Sequence, residues 1–121
     1  MGDISVIEAS VRVPLFNEQA EQAVIGAILS KPAIAPDVLS ILDEEDFYLH
    51  RNRVLFNVIK SISNKGIPPD TVAVSNYLLK NPQIDIDPEY ISQIAQINFS
   101  SANAIPYSKD VKHLSIIRMI I

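Results

Sequence analysis

Apolar residues recur along this chain at the three-and-four spacing of helices, and nowhere in the sustained alternation of strands. In NEQAEQAVIGAILS, residues 17–30, Ala20, Ala23, Val24, Ala27 and Ile28 form one stripe. Asn17 is placed to cap the first turn, and Glu18 and Glu21 face the positive end of the helix dipole. Gly26 interrupts this helix at a cost of about 1 kcal/mol relative to alanine, which points to a close approach by another backbone, the alternative being a tolerated glycine without a role. Lys31 to Pro36 reads as a connector, and Pro36 opens a short helix that buries Val38, Leu39 and Leu42. DEEDFYLH breaks the period. RNRVLFNVIKSISNKG resumes it, with Leu55, Val58, Ile59 and Ile62 on one face and Lys60, Lys65 and Gly66 as a stop signal.

Beyond the rigid IPPD link, Asp70 caps TVAVSNYLLK, a segment whose Thr71 to Val74 would equally suit a strand. DPEYISQIAQIN places Asp87 as cap and Pro88 at the first helical position, with Ile91, Ile94 and Ala95 inward. Tyr90, one residue or about 100° away, falls at the edge of that face. Asn103 is the expected cap of a helix running to residue 121, with Pro106 tolerated in its first turn. Tyr107, Val111, Leu114, Ile117 and Ile121 approximate a heptad seam suited to self-association. The pattern predicts an all-α bundle of about six helices without an internal repeat. Residues 1–13 are expected to form an extended or disordered arm, 14–100 a helical head, and 101–121 a further helical unit.

Composition narrows the function classes. A net charge of −4 and a pI near 5.0 argue against a module built to grip phosphates, and no cysteine is present for a disulfide or thiolate site. No apolar run is long enough to span a bilayer, and the N-terminus lacks signal-peptide features, so a cytoplasmic domain without membrane contact is expected. The glycines stand at 2, 26 and 66, which rules out a phosphate-binding loop in this stretch. Asp43, Glu44, Glu45 and Asp46 invite a metal, yet Arg51 and Arg53 follow at once and pairing between the clusters is the stronger reading. Neither His50 nor His113 sits in a ligand pattern. No catalytic, cofactor or metal residues are assigned. Phe47, buried under the 51–64 helix with Leu55 or Ile59, and Phe56 are expected to be structural.

In order, EQAEQAVIGAILS, EEDFYLHRNRVLFNVIKSISNKGIPPDTVAV and YISQIAQINFSSANAIPYSKDVKHLSIIRMI resemble the N-terminal domain of DnaB-type replicative DNA helicases over residues 14–121. The chain departs from that family at Asn52 (usually histidine), Ala73 (often threonine), DIDP at 85–88 (a Gly-Gly) and Phe99 (commonly proline). The resemblance implies that residues 101–121 begin the first arm of a helical hairpin. It also implies that the domain forms a collar pairing subunits in a hexameric ring. The family's domain docks the C-terminal domain of primase and, in some members, a helicase loader. Tyr90, Arg118 and Ile121 match positions of primase contact. ATP, magnesium and single-stranded DNA would then be handled by the full-length ring, through an ATPase domain beyond this region. The rival reading is a free-standing helical adaptor or DNA-binding protein of similar pattern.

Overall fold

The computed structural model describes residues 15–97 and 99–121, so the 1–13 arm lies outside the described residues. Six α-helices and three short 3-10 turns follow one another, with no strand among the described residues. Helix α1, Glu18–Ser30, starts as its cap predicts, with Asn17 Oδ1 accepting from Ala20 N at 3.0 Å. It is the centre of the molecule. Besides the predicted stripe, Glu21, Ile25, Gly26 and Leu29 are buried, because α3, α5 and α6 pack around it.

The stretch after α1 is more helical than a connector. A 3-10 turn, Pro32–Ile34, runs straight into α2, Ala35–Leu39, with Pro36 in the second helical position, where no intrahelical amide bond is lost. Val38 and Leu42 are buried, and Leu39 packs against the core from a half-buried position. Helix α3, His50–Asn64, buries Leu55, Phe56, Val58, Ile59 and Ile62. Its end is a Schellman motif: Ile67 N donates to Ile62 O at 3.3 Å and Gly66 N to Ser63 O at 2.9 Å. Gly66 has φ 77°, the left-handed conformation that the motif requires.

Thr71–Lys80 is helix α4, not a strand, and Asp70 Oδ1 accepts from Ala73 N at 2.8 Å. Helix α5, Pro88–Gln96, opens with Asp87 Oδ1 accepting from Glu89 N at 2.9 Å. Its inner face is Tyr90, Ile91 and Ile94, while Ala95 is exposed, which corrects the expected placement of both Ala95 and Tyr90. The helix is turned so that the larger ring, not the small methyl, fills the space beside α3, and that choice depends on volume rather than periodicity. Asn103 does not cap α6, Ala104–Ile120, through its side chain. A 3-10 turn, Ser101–Asn103, leads in, and Ala104 N donates back to Ser101 O.

The most extensive helix contact is α6 on α1. The buried face of α6 is Ala104, Ser108, Val111 and Ser115, mostly small residues that let the two helices lie close. This divides the anticipated seam. Val111 is buried in the chain's own head, Tyr107, Leu114 and Ile117 are half-buried, and Ile121 is exposed.

Candidate interaction surface

Glu21 is the most buried charged side chain among the described residues, at 1% exposure, and its position follows from the apolar stripe it shares with Val24 and Ile28. Its carboxylate accepts from Tyr48 N at 2.7 Å, Leu49 N at 3.4 Å and Asn52 Nδ2 at 2.8 Å. Leu49, the residue before α3, offers no side-chain cap, so a carboxylate from α1 meets the positive end of α3 in its place. Asn52 Oδ1 in turn accepts from the Tyr90 hydroxyl, and Arg51 lies over the Tyr90 ring at 4.5 Å. Tyr90 is therefore 8% exposed, its polar tip consumed inside the domain, and it does not stand free as a contact residue. One buried polar chain joins α1, α3 and α5.

A second polar cluster ties α6 to the 43–47 turn. Asp43 begins the 3-10 turn Glu44–Asp46 with a reciprocal capping box, and Asp46 Oδ2 accepts from Asp43 N at 2.8 Å. Asp46, 4% exposed, also accepts from Ser115 Oγ at 2.8 Å and from Lys112 Nζ at 3.2 Å. The expected pairing of the acidic run with Arg51 and Arg53 does not form. Asp43 and Glu44 instead face Lys60, about two helix turns further along α3, at 2.7 and 3.2 Å. Arg51 pairs with Glu18, and Arg53 Nε donates to Phe47 O at 2.6 Å. The neighbouring Glu44 side chain, followed by the Lys60 ammonium, holds the Asp43 carboxyl down to about 2. Asp43, Glu44 and Asp46 are thus committed to Lys60 and to α6. Phe47, fully buried, lies in one core cluster with Leu55 and Ile59 and meets Phe56 in a tilted ring pair at 4.6 Å.

Arg118 belongs to the same corner. Its Nη1 donates to Leu15 O at 2.7 Å and its Nη2 to Asp46 O at 2.8 Å, with the guanidinium 5.3 Å from the Tyr48 ring. Tyr48, itself about half exposed, stacks on Phe16. Arg118, which the resemblance matches to a position of partner contact, is thus also a clamp on the start of α1 and on the acidic turn. Beyond it, Ile116, Met119, Ile120 and Ile121 are exposed by 42, 72, 79 and 83%. Every buried side-chain polar atom among the described residues has a partner. The chemistry left for other molecules at this end is therefore an apolar helix surface beside a fixed cation.

Gly26 serves a ring, not a backbone. A β-carbon there would overlap the edge of Phe99, with Cε2 at 2.8 Å, and stand 3.3 Å from Ile94 Cγ2.

Comparison with known proteins places this geometry among replication proteins. The family model described as "DnaB-like helicase N terminal domain" matches residues 13–113. The chain is 32% identical over 114 residues to the replicative DNA helicase DnaB of Geobacillus stearothermophilus, covering 93% of this chain and 25% of that protein. It is 31% identical over 112 residues to the replicative DNA helicase DnaC of Bacillus subtilis strain 168, covering 91% and 25%. The chain thus spans about a quarter of the length of these relatives. The crystal structure of the N-terminal domain of DnaB helicase from Mycobacterium tuberculosis superposes with a TM-score of 0.78 at 26% identity, over 88% of this chain and 79% of that one.

Proposed function

The chain belongs to the family of DnaB-like helicase N-terminal domains, and from that premise we propose that it is the non-catalytic collar of a replicative DNA helicase, pairing with further copies in a hexameric ring and docking primase. The observation that carries this reading is the exposed apolar end of α6. Ile116, Met119, Ile120 and Ile121 crowd its last two turns, and contiguous exposed apolar surface of this kind marks a contact site. The surface is held in place before any partner arrives, because Arg118, Ser115 and Lys112 lock this part of α6 onto the 43–47 turn. Such preorganisation lowers the entropy that association must overcome.

In this assignment α6 is the first arm of a helical hairpin, and the half-buried Tyr107, Leu114 and Ile117 widen its pairing surface. Primase meets the Ile121 end with Arg118 at the rim, and a loader is a further partner. Tyr90 supports the site only by holding α5 against α3. ATP, magnesium and single-stranded DNA are the business of the remaining helicase, in the cytoplasm.

Sedimentation of the Ile120→Ser/Ile121→Ser chain against the parent tests the pairing, and titration of the C-terminal domain of primase tests the docking. The expected results are a lower assembly mass and a loss of about 2 kcal/mol or more in primase binding, as for a truncated anchor, with melting unchanged. A folded variant with the parent's mass and the parent's primase affinity would overturn the reading.

A further inference from the structure

A second surface lies away from α6, where α4 packs on α3 and α5. Only Val74 of the ten residues of α4 is buried, so this helix is covered on one side and open on the other. Between α4 and the chain leaving α3 runs a groove of about 440 Å³, with Ile67, Pro68, Val72 and Tyr77 among its walls and Lys65 and Lys80 at its margins. Ile67 and Val72 are 49 and 67% exposed, and Leu79, one heptad beyond Val72 on the same outer face, is 79% exposed. Lys65 Nζ stands 5.3 Å from the Tyr77 ring, which holds its charge over the groove. Asp70 also lines this groove, but its carboxylate accepts from Ala73 N at the start of α4, where the helix dipole offsets it.

We infer that this groove is a docking site for an acidic linear peptide carrying an apolar anchor, supplied by a partner protein. Charge complementarity selects that occupant. The whole chain carries a net −4, yet here two lysines border an apolar floor. An extended peptide places its apolar side chain on Ile67, Val72 and Tyr77 and brings flanking carboxylates to Lys65 and Lys80. None of the groove's residues belongs to α6, so occupancy here is independent of the pairing and primase surface.

The test is fluorescence anisotropy with a labelled peptide of Asp and Glu around a central Phe-Leu pair, titrated with the 121-residue chain. Binding should weaken with added salt, and the Lys65→Glu/Lys80→Glu chain should bind about tenfold more weakly while melting normally. Val72→Ser, on an exposed site that the fold does not need, should weaken it independently. The Ile120→Ser/Ile121→Ser chain should bind as the parent does. Equal affinity for the Asn/Gln version of the peptide, equal competition by a single-stranded oligonucleotide, an unchanged affinity in the folded double-lysine variant, or no binding by the parent would each overturn the inference.

Discussion

Gly26 and Phe99 act as a pair, and the pair decides the sign of a substitution. Alanine gains about 1 kcal/mol over glycine in a helix interior, whereas overpacking typically costs about 1–3 kcal/mol. Because the new methyl meets the Phe99 ring, Gly26→Ala is expected to destabilise the chain. In a Phe99→Ala background the ring is gone, and the same change should stabilise. Urea denaturation of the four chains reads both signs, and stabilisation in both backgrounds would refute the contact. Asp43 makes a second prediction at this scale. Its folded pKa of about 2 lies below the ordinary value of 3.8. A depressed carboxylate contributes stability above pH 3.8 that is lost as pH falls toward 2. Melting curves from pH 6 to pH 2 should therefore show a smaller acid loss for Asp43→Asn than for the parent, the two converging near pH 2.

Between elements, Glu21 is the tie that joins α1 to the start of α3. Truncation to alanine leaves Tyr48 N and the Asn52 amide facing a space without an acceptor. Each buried donor so orphaned costs about 1–3 kcal/mol, so Glu21→Ala should be among the more destabilising changes in the chain. Glu21→Gln keeps an acceptor oxygen and should recover part of the loss. Denaturant midpoints of the two variants check this, and an unchanged Glu21→Ala midpoint would mean that water replaces the carboxylate. Arg118 does equivalent work between α6, the start of α1 and the acidic turn, through two backbone carbonyls.

For the molecule as a whole, stability rests on one core into which α1, α3, α5 and α6 all pack, so damage to it is global. Phe47 comes from a short turn yet is fully buried against Phe56 of α3. Removing a buried phenylalanine ring costs about 3–5 kcal/mol, a large share of the about 5–15 kcal/mol that holds a domain together. Phe47→Ala should thus unfold cooperatively at much lower urea, with loss of the α6 surface in the same transition. Circular dichroism and light scattering followed together would reveal any separation of the two events.

Six helices, the caps at Asn17, Asp70 and Asp87, and the stop at Gly66 were legible in the sequence by itself, as was the family resemblance carried by the ordered segments. Capping and helical periodicity act within a turn or two of chain, so neighbouring residues record them. What only the tertiary structure decided is where the polar side chains within those elements go. Ser115 reaches Asp46 across 69 residues of sequence, Arg118 reaches the carbonyl of Asp46 across 72, and Asn52 meets Tyr90 across 38. Such bonds have no period. They form because a buried polar group must find a partner wherever packing brings one, and that requirement drew Tyr90 and Arg118 inward and left Lys60, not the nearer Arg51 and Arg53, to answer Asp43 and Glu44.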